Sequence, residues 1–414
     1  MKKLNKVISL LLVSVLTVTM LAGCGNNAGT ATGDNVGNAT AESGDTAVDN
    51  GAAETESTGA AFKVGGIGPT TGSAAVYGIA VQNGAQIAID EINAAGGVNG
   101  YQLEFNFQDD ECDNEKSVNA YNTLKDWGMN ILIGSVTSGC CIAVADKSAT
   151  DNMFQLTPSG SSEDCINGND NVFQVCFTDP NQGVGSAQYI GDSAMASKVA
   201  VIYDSSDVYS SGIYEKFVTE SANYSFEVVA TEAFTADNKT DFSVQLQKAK
   251  DAGAELVFLP IYYTEASLIL TQAAGMDYEP LFFGCDGLDG ILGVENFDTA
   301  LAEGVILLTP FAADAEDEAT KSFVTTYQEK YGEVPNQFAA DAYDAVYIIK
   351  AAIENSNVTP DMSVSEIGDS LKAAMLNITV DGLTGSEMTW VAEGSVNKNP
   401  KAMKIVNGSY SLIQ

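Results

Sequence analysis

The sequence predicts an α/β fold built as two doubly wound, parallel-sheet lobes. Three observations predict it. From Phe62 onward, short apolar runs alternate with amphipathic stretches, and alternating βα units give a parallel sheet covered by helices on both faces. The alternation runs through twice, which calls for two lobes. The 353 residues from Phe62 onward are also too many for one small core.

Each element follows from its local pattern. Phe62–Ile67, Leu103–Phe107, Ile131–Ile133 and Phe154–Leu156 read as strands. Between the first two, Tyr77–Asn93 carries Ala80, Ala85, Ile87, Ala88 and Ile92 at helical spacing, and Gly96, Gly97 and Gly100 stop that helix. The second run has strands at Val199–Tyr203, Glu227–Ala230, Leu256–Leu259 and Leu281–Phe283, with helices starting near Tyr209, Thr240 and Glu265. Three more helical stretches over residues 315–375 return to pack on one lobe.

The first 23 residues read as a lipoprotein leader. Lys2, Lys3 and Lys6 precede an apolar run from Val7 to Met20, and Leu21-Ala22-Gly23 leads into Cys24. The run is short for a membrane span, whereas a cysteine at that place supplies the thiol that carries a diacylglyceryl group. This puts the chain in the cell envelope, outside the cytoplasmic membrane and anchored by lipid at Cys24. Residues 24–61 are almost all small or polar, so they cannot offset their ordering entropy and read as a disordered tether.

Composition excludes much. Fifty-five acidic residues oppose 19 basic ones, for a net charge of −36, and the chain has neither Arg nor His. An acidic surface without Arg does not suit nucleic acid. Histidine triads and His-containing metal sites are unavailable. No cofactor and no metal is expected, and an enzyme is disfavoured.

Six cysteines follow Cys24: Cys112, Cys140, Cys141, Cys165, Cys176 and Cys285. Outside the cytoplasm an even count favours disulfides, and the CxxC spacing of zinc sites is missing. Cys165 and Cys176 flank the turn-like Asn167-Gly168-Asn169-Asp170-Asn171, so they suit a short covalent loop. Spacing alone selects no connectivity.

The turn Gly65-Gly66-Ile67-Gly68-Pro69-Thr70-Thr71-Gly72, with Asp109 and Asp110 after the second strand, invites a dinucleotide-binding reading. The glycine spacing fails, because Thr71 stands where the third glycine belongs. Pro69 also removes a backbone donor that a pyrophosphate would need.

These segments, taken in order, resemble a known family. Phe62–Gly72, Tyr77-Gly78, Ile89–Gly100, Asp109-Asp110, Ile133-Gly134 with Ser138, Thr157–Ser159, Phe177–Gly183, Asp204 with Tyr209, Tyr262-Tyr263 and Gly284–Gly287 are similar to branched-chain amino-acid binding proteins. Those are type I periplasmic binding proteins, extracellular receptors of ABC importers, with ABC permease subunits as partners. The resemblance implies two lobes joined by three crossovers. Residues 62–178 and 310–388 would form lobe one, and 179–309 with 389–414 lobe two. An amino-acid ligand would sit in the cleft between them.

The resemblance also implies the site. Without Arg, a ligand carboxylate must be met by hydroxyls and backbone N–H groups at a helix N-terminus. Ser138, before the helical pattern from Ile142, and Ser159, Gly160 and Ser161 after the next strand fit that role, although such serines also serve as plain N-caps. Asp286, after Leu281–Phe283, stands where the family carries the carboxylate that meets the ammonium. Tyr262 would close over the ligand backbone, Tyr77 and Phe338 would line the side-chain pocket, and Tyr209 would lie at the cleft edge. The family cysteine before the ligand serine is Thr137 here, and Cys112 finds its alternative partner in Cys140 or Cys141.

Two further functions compete with an importer receptor. One is a sensor module of the same fold for a small amide, peptide or other amino-acid-like ligand. The other is a surface hydrolase, disfavoured by the absence of His.

Overall fold

A computed structural model describes residues 59–413. The leader, Cys24 and the tether up to residue 58 lie outside the described residues. Ala61, which the sequence assigns to the tether, is the first residue of a strand.

The first sheet is five-stranded and wholly parallel, in the order β2-β1-β3-β4-β5. Its strands are β1 (Ala61–Gly68), β2 (Gln102–Asp109), β3 (Ile131–Ile133), β4 (Gln155–Thr157) and β5 (Val172–Gln174). All three residues of β3 are fully buried, as a strand covered on both faces requires. Between the strands run α1 (Ala75–Ala94), α2 (Asn114–Trp127) and α3 (Ser138–Asp151). Asp113 starts α2 by accepting from the N–H groups of Glu115 and Lys116.

The second sheet has seven strands in the order β12-β11-β10-β9-β8-β6-β7. Strands β6 (Lys198–Asp204), β7 (Glu227–Phe234), β8 (Leu256–Leu259), β9 (Leu281–Gly284) and β10 (Ile306–Thr309) are parallel. β11 (Lys401–Val406) and β12 (Ser409–Leu412) add an antiparallel edge. The helices of this lobe are α4 (Asp179–Asp192), α5 (Val208–Ser221), α6 (Ser243–Asp251) and α7 (Tyr263–Gly275). None of the described helices is long and apolar enough to cross a membrane.

Three late helices, α8 (Glu318–Tyr331), α9 (Gln337–Glu354) and α10 (Val364–Met375), return to the first lobe, where α9 lies along α1. The contact is close: a Cβ on Gly84 of α1 would fall 2.0 Å from Ala339 O of α9. Ser363 and Glu366 cap α10 reciprocally.

One boundary needs correction. The sequence assigns residues from 389 onward to lobe two, yet residues 390–398 lie against the first sheet. Trp390 Nε1 donates to Gln174 O at 2.8 Å, and Gln174 N donates to Gly394 O at 2.9 Å. Lys398, 4% exposed, donates to Asp341 of α9 at 3.0 Å and to Thr384. Satisfying the free edge of β5 and a buried lysine holds this strap in lobe one, so the chain crosses over only after Lys398.

Candidate functional site

Lobe one brings its side chains from three strand ends. The turn after β1 closes because Asp109, at the end of β2, accepts from Thr70 N at 2.8 Å and from the Thr71 hydroxyl at 2.5 Å. The carboxylate that invited a ribose-binding reading therefore ties the turn shut. Tyr77 follows in the first turn of α1. That turn rests directly on the loop, since a Cβ at Gly78 would fall 1.9 Å from Pro69 O and only glycine fits.

Ser138 is the first residue of α3, four residues earlier than the helical pattern indicates, and its hydroxyl accepts from Ser162 N at 3.2 Å. The first N–H groups of α3 have no intrahelical partner and point out of its N-terminus. Beyond β4, Ser159 donates to Val136 O at 2.7 Å.

Lobe two supplies the opposite wall. Tyr209, in the first turn of α5, is buried rather than at the cleft edge. Its hydroxyl donates to Asp286 Oδ1 at 2.7 Å and accepts from Gly287 N at 2.9 Å. Its ring stacks on Tyr262, the residue that opens α7, with centroids 5.0 Å apart. Gly287 is required here: a Cβ would lie 2.6 Å from the Tyr209 hydroxyl and 2.7 Å from Ile261 O. Asp286 follows β9 and is 4% exposed. Its N–H donates to Gln182 Oε1 at 3.1 Å, and its carbonyl accepts from Gln337 at 2.8 Å.

Between these walls lies a nearly closed cavity of about 10 Å³, lined by Tyr77, Val136, Thr137, Ser138, Ser159, Tyr209, Tyr262, Asp286, Gly287 and Phe338. Of the site residues expected from sequence, Tyr77, Ser138, Ser159, Tyr209, Tyr262 and Asp286 meet there, and Phe338 joins them. Gly160 and Ser161 do not line it. Gly160 packs on Thr157 and Cys141, and the Ser161 hydroxyl is fully buried with no hydrogen-bond partner.

Sequence reasoning assigned no role to Asp179 or Gln182. Both are buried in the first turn of α4, and Gln182 reaches the backbone of Asp286. The Asp179-Pro-Asn-Gln182-Gly183 segment was the available signal. Their contacts depend on residues far away in the chain.

The electrostatics of the cleft are one-sided. Burial raises the Asp286 carboxyl to about 6, against the hydrogen bond from Tyr209 that favours its charged form, while nearby Asp341 adds to the rise. Burial likewise takes Asp289 to about 7. The buried cation nearby, Lys398, is engaged by Asp341 and Thr384. Asp286 thus faces the cavity with a phenol as donor and, among the described residues, no cation opposite, which suits a positively charged group on a bound solute.

Residues 61–408 match the sequence model of the periplasmic binding protein family. A Leu/Ile/Val-binding protein homologue of Brucella melitensis is 31% identical over 305 residues, covering 72% of this chain and 80% of the relative. The chain belongs to the periplasmic binding protein family. A second relative is the leucine-, isoleucine-, valine-, threonine- and alanine-binding protein of Pseudomonas aeruginosa, at 28% identity over 74% of this chain and 81% of its own. Among solved structures, the substrate-binding protein LivJ of Streptococcus pneumoniae in complex with isoleucine superposes with a TM-score of 0.77. It is 30% identical, with 85% of this chain and 98% of that one covered.

As a solute-binding protein of this family, the molecule works between the lobes, outside the cytoplasmic membrane, and its relatives are transporter receptors rather than enzymes. The lobes of this binding protein are in contact across the cleft. Tyr77 donates to Gly287 O at 2.5 Å, Val76 N to the Tyr263 hydroxyl at 3.1 Å, and the Thr264 hydroxyl to Ser73 O at 2.6 Å. Tyr77 also packs against Phe338, with centroids 4.2 Å apart, and edge-on to Tyr262.

Proposed function

We propose that this binding protein captures an α-amino acid with a neutral, branched-chain-sized side chain and delivers it to the permease subunits of an ABC importer. The observation that carries the reading is Asp286, buried and donated to by Tyr209 with no cation opposite among the described residues, across from Ser138 at the N-terminus of α3. An ammonium pairs with Asp286. The carboxylate is held by the Ser138 hydroxyl, which accepts from Ser162 N and keeps its own proton to donate, and by the N–H groups that open α3, where the helix dipole favours an anion. Tyr77, Val136, Tyr262 and Phe338 surround the side chain.

The lobes leave only about 10 Å³ of open cavity between them, so they part to admit a solute and close on it again. No covalent step is involved: affinity comes from burying both charges as lobe one, residues 62–178 and 310–398, meets lobe two. The leader and Cys24 complete the picture as a lipid anchor, with residues 24–60 linking it to β1. Calorimetric titration with leucine, valine, alanine and glutamate tests the reading. Binding of the neutral amino acids is expected. Tight binding of glutamate, or none of any amino acid, overturns it.

A further inference from the structure

Two adjacent cysteines lie in the first turn of α3, and their side chains diverge. Cys140 faces Cys112 beyond β2, where the Cys112 sulfur is 3.6 Å from the Thr137 hydroxyl. Cys141 faces the other way, into a small buried cluster with Ala145, Cys165, Ile166 and Val172. There Cys141 and Cys165 share one packed cluster, and both residues are fully buried. Cys165 Sγ lies 3.7 Å from Ser138 O. A Cβ on Gly160 would fall 2.9 Å from Cys141 Cβ. The two sulfurs therefore sit directly beneath both segments that bring Ser138 and Ser159 to the cavity. Cys176, expected from the turn spacing to pair with Cys165, is also buried but is not part of that cluster.

We propose that Cys141 and Cys165, free thiols in this structure, become joined by a disulfide in the exported protein, tying the first turn of α3 to the loop after β4. The bond forms by thiol–disulfide exchange with an external disulfide while the chain folds. One cysteine thiolate attacks that disulfide, and the second displaces the mixed disulfide. The S–S bond forms in the protein, and the external disulfide leaves as two thiols that carry the two protons. The exchange precedes burial, because a thiol sealed in an apolar cluster is held far above its ordinary pKa and is inert. The closed loop removes freedom from the unfolded chain and stiffens the cradle around Ser138.

The test uses the full-length chain, exported, purified without reductant, alkylated at free thiols and mapped by mass spectrometry. Because Cys140 and Cys141 are adjacent, the map is repeated in Cys140→Ser. A Cys141–Cys165 linked peptide in both proteins is expected. Alkylated Cys141 and Cys165, or a Cys165–Cys176 link, overturns the proposal. A second measurement uses Cys112→Ser, so that the other flank contributes nothing. Reductant should lower its Tm by several degrees and leave the Tm of a Cys112→Ser/Cys141→Ala/Cys165→Ala protein unmoved. A Tm of Cys112→Ser that ignores reductant also overturns the proposal.

Discussion

The hydroxyl of Tyr209 is bound on both sides: it donates to the Asp286 carboxylate at 2.7 Å and accepts from the Gly287 N–H at 2.9 Å. This relay fixes the phenol as a donor toward Asp286. One face of the carboxylate is thereby satisfied, and the other is left for a cation in the cleft.

Removing the carboxylate should therefore abolish most binding. Asp286→Ala leaves a ligand ammonium buried and unpaired, at a cost of about 3–5 kcal/mol, so the calorimetric Kd for leucine should rise more than a hundredfold. The ligand-free protein should lose little stability, since the substitution also removes a buried charge and leaves the Tyr209 hydroxyl its Gly287 partner. An unchanged Kd would show that the solute carries no cation.

Affinity and stability should respond to pH with opposite signs. Burial raises Asp286 to about 6 and Asp289 to about 7, against about 3.9 for an unfolded aspartate. Between about pH 4 and 7 the folded protein holds more protons than the unfolded chain, so ligand-free stability falls as pH rises through that window. The carboxylates lowered by hydrogen bonds or ion pairs, such as Asp109 and Asp151, lose their contribution only at more acid pH. Pairing with an ammonium needs the charged form of Asp286, so leucine affinity should fall about tenfold per pH unit below about 6. Melting curves and titrations over pH 4.5–7.5 check both slopes. A leucine affinity that does not change with pH would remove Asp286 from the site.

The carboxylate end should be sensitive to one hydroxyl. Ser138→Ala removes a hydrogen bond to a charged group, worth about 1.5–3 kcal/mol, and leaves Ser162 N–H without its acceptor. Leucine binding should weaken by about ten- to a hundredfold. Salt should change it little, because a desolvated helix terminus is poorly screened. A Kd within twofold of the parent protein would mean that backbone N–H groups alone hold the carboxylate.

The N-terminal segment should matter for location and not for capture. A chain starting at Gly59 should bind leucine within about twofold of the full-length protein, because β1 already begins at Ala61 and the preceding residues have little apolar surface to dock. Cys24→Ala should release the protein from the membrane fraction in cell fractionation. Retention of the variant in that fraction would refute the lipid anchor.

The strands that the sequence declares most clearly are the buried ones, such as Ile131–Ile133 and Leu256–Leu259, because a parallel strand covered on both faces is a continuous apolar run. β5 escaped notice: it is three residues long and follows directly on the Asn169-Asp170-Asn171 turn. Asp286 and Ser138 were legible because each directly follows or precedes an element with a clear signal. Tyr209 looked like an edge residue because its partners, Asp286 and Gly287, come from another strand end 77 and 78 residues on. Ser161 was expected in the cleft from the family resemblance, yet it is buried outside the cavity lining. The neighbour of Cys165 could not be read from spacing, because it arrives from α3 and not from across the adjacent turn.

The contacts that bridge the lobes have a consequence for how affinity is set. The Thr264 hydroxyl on Ser73 O and the Tyr263 hydroxyl on Val76 N hold the lobes together without lining the cavity. They favour closure whether or not a solute is present, and a receptor whose competent form is only partly populated shows an apparent Kd equal to its intrinsic Kd divided by that fraction. Thr264 and Tyr263, whose hydroxyls make these contacts, therefore act as a gain control. A chemical change there retunes affinity for every solute by the same factor and leaves the order of preference among solutes intact. Selectivity and sensitivity are thus written in separate residues, and each is free to drift without the other.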